Sequence, residues 1–218
     1  MLSRLSRLSF WLDTPLSGRS RLLVVAAALV LIPTFFLPLW HMSFWAQQYP
    51  EGLELHVYSH ALVGGDEGND LTEINVLNHY IGMGELREEN FTELKWIPLV
   101  IGLIGVLTLR SGTIGNVRSL LDVVVIAGYF GAFSMWSFWY KLNYYGKHLD
   151  PRAAVQVEPF TPPILGYKMV GQFEVRSYPG SGTYLLLLFG LLLLSGFYFT
   201  RRAPAGEEGS SSGTTNGG

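Results

Sequence analysis

The sequence predicts an α-helical membrane protein with four transmembrane helices and a small mixed α/β extracytoplasmic cap built from two loops. Of the 218 residues, 49% are hydrophobic, and the mean hydropathy is positive. The apolar residues gather in four blocks, and two long polar segments lie between those blocks. This uneven distribution is typical of a polytopic membrane protein rather than of a soluble globular domain.

Composition excludes several function classes. The net charge of −2 lacks the basic excess of a nucleic-acid-binding protein. The chain has no cysteine, which excludes disulfides, thiolate metal sites and cysteine nucleophiles. No nucleophile elbow, zinc-protease helix or phosphate-binding glycine loop occurs, and the apolar blocks contain no histidine that could ligate a haem.

Residues 1–21 form a basic N-terminus that precedes the first apolar block. Its leucines could line one face of an interfacial helix, and the alternative is a basic flank that only sets the topology. Residues 22–40 form the first predicted span, which we expect to be retained because no small-residue cleavage site follows it. Pro33 and Pro38 lie in its later half and predict a kink or an early end.

Three further apolar blocks complete the predicted bundle, at residues 96–109, 120–140 and 184–200. The second block is short for a bilayer, so we expect it to take residues from its flanks or to thin the bilayer locally. Residues 110–119 are predicted to form a short hairpin between two spans. Residues 201–218 form a Gly/Ser/Thr-rich tail that is predicted to be disordered.

Charge placement predicts the orientation. Arginines flank the spans closely on the side of the two termini, whereas the loops at 41–95 and 141–183 hold most of the acidic residues. The positive-inside rule then places both termini in the cytoplasm and both loops outside a bacterial inner membrane. The arginines concerned are Arg4, Arg7, Arg19, Arg21, Arg110, Arg118, Arg201 and Arg202.

The first loop contains a predicted strand and a predicted helix. Apolar and polar residues alternate from Leu53 to Tyr58, which indicates a strand. From Leu71 to Met83, apolar residues recur at three- and four-residue spacing, which indicates an amphipathic helix with Asn69 or Asp70 as its cap. The second loop is proline-rich and extended, with one possible strand at residues 172–176.

All five histidines fall on the predicted outer side, together with three methionines. His79 and Met83 share a helix face at a spacing of four, and His56 and His60 have the same spacing. These four are the candidate metal ligands, and imidazole with thioether favours copper, the one cofactor suggested. Glu73, Asn75, Asn78 and Tyr80 are the candidate supporting or partner-contacting residues. The alternative is that Asn75, Asn78 and His79 bond the loop backbone and fix the cap.

Three sequence motifs resemble those of a known family. They are Leu37-Pro-Leu-Trp40, Gln47-Gln-Tyr-Pro-x-Gly-Leu53 and Ile74-Asn-x-Leu-Asn-His-Tyr-Ile-Gly-Met83. They resemble a family of small bacterial multi-pass membrane proteins that accompany the accessory proteins of nitrous oxide reductase, a copper enzyme. The likeness covers the end of the first span and the first loop. It implies a role at the outer face in copper delivery or respiratory-enzyme assembly.

The sequence therefore predicts a non-catalytic accessory protein that lies in the lipid bilayer. Its role would be docking or copper handling for a periplasmic enzyme such as nitrous oxide reductase. One alternative is a structural subunit of a larger membrane complex. Another is a membrane enzyme that uses Glu73 and His79 as acid and base.

Overall fold

The computed structural model describes residues 12–170 and 172–202, and for residues 201 and 202 it describes the backbone only. The interfacial helix expected near the N-terminus lies outside these residues. So does the tail expected to be disordered, except for residues 201 and 202, which instead continue the last helix. Within them, four helical segments are long and apolar enough to span a bilayer: Gly18–Phe35, Glu93–Ile114, Val117–Lys147 and Ser181–Thr200. A five-stranded antiparallel sheet accompanies them. The predicted combination of four apolar helices with a small α/β part is therefore present.

In the described part of the chain, the fold contains five α-helices and five strands. The helices are α1 (Gly18–Val30), α2 (Asn69–Tyr80), α3 (Glu93–Ile114), α4 (Val117–Lys147) and α5 (Ser181–Arg202). The strands are β1 (Trp40–Ala46), β2 (Tyr49–Val57), β3 (Leu62–Gly64), β4 (Gly166–Val170) and β5 (Phe173–Pro179). Short 3-10 turns cover Ile32–Phe35, Asp66–Gly68 and Glu88–Asn90.

Helix α1 packs between α3 and α5 around a buried apolar cluster that includes Val24, Ile104 and Leu193. Glycines permit this close packing. A Cβ on Gly112 of α3 would lie 2.9 Å from a methyl of Val25. A larger residue there would force the two helices apart.

The first span ends earlier than its apolar run. The α-helix stops at Val30, and a 3-10 turn with Pro33 in its first positions ends at Phe35. Trp40, expected at the far end of the span, instead begins β1. The prolines explain this early end, because proline lacks the amide hydrogen that a continuing helix needs.

Both loops contribute to a single sheet with strand order β3-β2-β1-β5-β4. Its centre is β1, which pairs with β2 from the first loop and with β5 from the second. Because β1 follows the first span and β5 precedes the last, the sheet lies at one end of the helix bundle. The two loops therefore form one cap.

The cap has a buried inner face and an open outer face. Alternate residues of β1 point inwards, where Trp40, Met42 and Phe44 pack against Leu55 and Val175. The indole nitrogen of Trp40 donates a hydrogen bond of 2.8 Å to Ser177 Oγ. The residues that alternate with these inward-pointing ones form the outer face. They are His41, Ser43, Trp45, Glu54, His56, Val63, Tyr167, Met169, Glu174, Arg176 and Tyr178.

Candidate functional site

Helix α2, which carries most of the predicted site residues, packs against the inner-face core of the sheet. Ile74 is fully buried there, as the three- and four-residue spacing predicted. The helix start differs from the prediction, because Gly68 occupies the cap position with φ of +100°. Asp70 does not cap the helix, and its Oδ2 instead accepts a 2.8 Å hydrogen bond from the Glu54 amide of β2. That bond ties the helix to the sheet.

Two polar residues of α2 have structural partners. The Glu73 carboxylate accepts a short hydrogen bond from the Tyr49 hydroxyl, and this bond raises the pKa of Tyr49 above its usual value. Asn75 makes two bonds with the backbone of Leu86: its Oδ1 accepts at 2.7 Å and its Nδ2 donates at 3.3 Å. Asn75 therefore fixes the loop after the helix, as the alternative interpretation of this residue predicted.

Asn78 is the most deeply buried polar residue of α2, at 2% exposure. Its side-chain nitrogen has no hydrogen-bond partner among the described residues. Its backbone carbonyl accepts a 2.7 Å bond from the Met83 amide. Within the described chain, the side chain of Asn78 therefore does not make the bond to the loop backbone that the alternative interpretation expected of its amide nitrogen.

The prediction that His79 and Met83 share a helix face is wrong, because the helix ends at Tyr80 and the chain turns at Gly82, which has a positive φ. His79 and Met83 both line a cavity of about 420 Å³ between the end of α2 and the second loop, whose wall also includes Asp150 and Arg152. The His79 and Tyr80 side chains are exposed. Met83 also packs against the inner-face core. The pair is therefore held on the side of the cap that carries α2.

The close approach of the second loop depends on Gly82. This residue has φ of +77°, and an added Cβ would lie 2.7 Å from the Asp150 carbonyl oxygen. The Asp150 amide donates to the Gly82 carbonyl at 2.8 Å. Only glycine combines this backbone conformation with such close contact.

His56 lies on the outer face of the sheet, paired with a histidine that sequence reasoning did not single out. The Nδ1 atoms of His41 and His56 are 2.7 Å apart, and His56 Nε2 is 3.3 Å from the Glu54 carboxylate. Burial, followed by the charge of His56, lowers the pKa of His41, and Glu54 opposes that shift. The alternation of Trp40, Met42 and Phe44 with other residues was the available signal for β1. From the sequence, Trp40 was placed in the first span and the residues after it in the first loop, and no strand was predicted there.

The four predicted ligands do not form a single site. His60 is exposed in the turn before β3, where its ring lies 5.8 Å from that of Tyr58. His56 is on the outer face of the sheet, whereas Met83 packs with the inner-face core. Nowhere from residue 12 to 170 or from 172 to 202 do three His, Asp or Glu side chains converge as metal ligands. The structure brings His41 and His56 into contact and places His79 and Met83 only in the wall of the same cavity.

The outer face also carries large exposed side chains. Tyr167 is 71% exposed, Met169 60% and Tyr178 47%. Trp45, at the edge of this group, lies under the guanidinium of Arg176, whose Cζ is 5.0 Å from the ring centroid. A sheet face exposed to water normally carries small or charged polar residues, so this aromatic and thioether content indicates a contact surface.

A larger cavity lies beneath the inner face. It has a volume of about 630 Å³, and its walls come from the sheet and from α3, α4 and α5. Most of its wall is apolar, and its polar residues include Glu93, Ser134, Ser137 and Lys141. Sequence reasoning placed Glu93 in an acidic loop segment and did not identify these residues.

Comparisons with protein-family models, with curated proteins and with solved structures found no match to this chain.

Proposed function

We propose that this chain is a non-catalytic accessory membrane protein whose outer sheet face docks a partner protein on the extracytoplasmic side. The observation that carries the proposal is the set of exposed tyrosine, methionine and tryptophan side chains on that face. Aromatic residues, methionine and arginine are the types enriched in protein interfaces. Of these, tyrosine and tryptophan provide a large contact area at a small cost in side-chain entropy.

The charges on this face indicate the chemistry of the partner. Arg176 is paired with Glu174 at 2.5 Å, and His56 lies beside Glu54. Since these charges are balanced within the face, they give no strong field of either sign. The partner would therefore present a surface of low net charge with apolar side chains and hydrogen-bonding groups, rather than a strongly acidic or basic patch.

Basic residues support the proposed orientation. Arg19 and Arg21 lie at the start of α1, Arg110 lies near the end of α3, and Arg118 lies at the start of α4. All these helix ends are opposite the cap. By the positive-inside rule, that end faces the cytoplasm of a bacterial inner membrane and the cap faces the periplasm.

Copper handling is a second candidate function, favoured by the His41–His56 pair. The two Nδ1 atoms point at each other, and imidazole nitrogen binds either oxidation state of copper. The two residues would supply two imidazole donors on the same face that we propose for docking. The resemblance of the motif strings favours a periplasmic copper enzyme, such as nitrous oxide reductase, as the docked partner.

The docking proposal can be tested with a photo-crosslinking amino acid placed at Tyr178 on the outer face. Tyr80 is a matched control site, because it is also an exposed tyrosine of the cap but lies at the end of α2. We expect one discrete protein adduct from Tyr178 in intact cells, accessible to protease added to spheroplasts, and none from Tyr80. Equal adducts from both sites, or none from Tyr178, would contradict the proposal.

A further inference from the structure

The 630 Å³ cavity beneath the sheet has the size of a ligand site. Known pockets for small molecules have volumes of about 300–1,000 Å³ and mostly apolar walls with a few placed polar groups. Here Ile101 and Ile104 of α3, Val124 of α4 and Leu193 of α5 form part of the apolar wall. Between Val123 and Ser137, no residue of α4 is fully buried, so this part of the helix is not closely packed against its neighbours.

A few polar groups line the cavity where α3 begins, between its apolar sheet wall and its apolar helix wall. Ser137 Oγ donates a hydrogen bond of 2.9 Å to Glu93 Oε1, and Lys141 Nζ lies 3.7 Å from Glu93 Oε2. The lysine hydrogen-bonds the Asn90 carbonyl at 2.7 Å rather than the carboxylate. The ion pair therefore leaves one carboxylate oxygen of Glu93 without a hydrogen bond.

Two buried oxygen atoms in this part of the cavity wall lack hydrogen-bond partners among the described residues. They are Glu93 Oε2, an acceptor, and Ser134 Oγ, which can both donate and accept. Leaving such groups unsatisfied costs free energy, and the cost is larger for a charged group. Hydroxyl groups of a bound molecule, which both donate and accept, would satisfy these atoms.

The part of the cavity between the spanning helices matches a membrane lipid in polarity. Glu93 is the first residue of α3, so the polar groups lie at the cap end of the bundle. The apolar wall continues from there between the spanning helices. A lipid with its head at the interface and its tail in the hydrocarbon layer has the same polarity along the same axis.

The cavity wall also reaches the lipid-facing surface. Met135 of α4 is 44% exposed, and Leu187 and Leu194 of α5 are 59% and 57% exposed, yet all three line the cavity. The opening therefore lies between α4 and α5. A molecule could enter sideways from the bilayer without passing through the cap.

We propose that this cavity binds a neutral membrane lipid whose head carries hydroxyl groups, such as a monoacylglycerol. Its hydroxyl groups donate a hydrogen bond to Glu93 Oε2 and accept one from Ser134 Oγ, and the hydrocarbon tail fills the space between α3, α4 and α5. A phosphate head group is disfavoured, because its negative charge would lie beside the Glu93 carboxylate.

The head-group assignment is tested with the purified full-length chain and three dibrominated lipids. These are a stearoyl glycerol, the same lipid with both hydroxyls methylated, and a phosphatidylglycerol. Bromine quenches tryptophan fluorescence at short range, and Trp40 and Trp96 line the cavity. We expect the stearoyl glycerol to bind about tenfold more tightly than its ether, which cannot donate a hydrogen bond. Glu93→Gln should remove most of that preference.

The location is tested by filling the cavity. Gly190 and Gly131 line it, and an added Cβ at either position meets no atom within 4 Å. Gly190→Leu should weaken binding at least about tenfold. Gly102→Leu is the matched control, since Gly102 is also an unobstructed helix glycine but lies outside the cavity. If Gly190→Leu fails to fold, Gly131→Leu tests the same space from the opposite helix.

Three results would overturn the proposal. The first is equal affinity of the wild-type protein for the glycerol lipid and its methyl ether. The second is tighter binding of phosphatidylglycerol than of the neutral lipid. The third is unchanged affinity in a folded cavity-filling variant.

Discussion

The Nδ1 atoms of His41 and His56 lie 2.7 Å apart across the β1–β2 pair, on the outer face of the cap. A hydrogen bond between two ring nitrogens requires one donor and one acceptor, so at least one of the two rings is neutral. Protonation of both would place two positive charges in contact. The neighbouring Glu54 carboxylate moderates this repulsion without removing it.

This contact predicts a dependence of stability on pH. The pKa of His41 is lowered from 6.5, mainly by burial, so the folded state binds its proton less readily than the unfolded state does. Neutral His41 therefore stabilises the folded state fully above pH 6.5. This stabilisation is lost as the pH falls from 6.5 through the lowered pKa of His41 in the folded state. Thermal unfolding in detergent, compared between about pH 7.5 and about pH 5.5, should show a smaller loss for His41→Asn than for the wild type. His60→Asn, at an exposed histidine of the same cap, should retain the full loss.

A second prediction concerns Gly82. Gly82→Ala places a Cβ against the Asp150 backbone and also imposes a strained positive φ. Gly68→Ala imposes the positive φ alone, because nothing lies within 4 Å of its added Cβ. The free energy of unfolding should therefore fall by about 1–3 kcal/mol more for Gly82→Ala than for Gly68→Ala. Equal losses would mean that the second loop does not contact α2 as described.

A third prediction tests the bonds from Asn75 to Leu86. Asn75→Ala removes both bonds and should lower the free energy of unfolding by about 1–2 kcal/mol. Asn75→Asp retains the acceptor for the Leu86 amide and should cost less. Hydrogen exchange at that amide reports the difference directly, with fast exchange in the alanine variant and continued protection in the aspartate variant.

The fourth prediction separates the two candidate copper-binding pairs. If His41 and His56 hold copper, replacing both by alanine should weaken binding of Cu(I) at least about tenfold in a chelator competition. Replacing His79 and Met83 should leave the affinity unchanged. The reverse result would assign copper to the cavity beside α2, and unchanged binding in both variants would contradict copper handling.

The spacing of apolar residues along the chain predicted much of the fold. The spacing of Leu71, Ile74 and Leu77 predicted α2, and the apolar blocks predicted the four long helices, because burial on one face or in lipid imposes those patterns. The end of the first span was misplaced. Trp40 fits both an interfacial belt and the inward face of a strand, and hydropathy alone does not distinguish the two.

Contacts between distant segments could not be predicted. The bond between Ser137 and Glu93 joins residues 44 positions apart, and the His41–His56 contact depends on the register of two strands. Register follows from turn geometry and from which face is buried, and neither is fixed by the identity of a single residue. For the same reason, the sequence identified His56 but not its partner.

The proposed docking role is tested most directly by altering the outer face and measuring the partner retained. A double variant, Tyr167→Ser with Met169→Ser, removes two exposed side chains from that face, and Val76→Ser with Tyr80→Ser removes two exposed ones from α2. Each variant carries a purification tag and the photo-crosslinking amino acid at Tyr178. The measurement is the molar ratio of crosslinked partner protein to tagged chain after purification from membranes. We expect the outer-face variant to lower this ratio at least about tenfold while the α2 variant retains it. An unchanged ratio in a folded outer-face variant would contradict docking at the sheet.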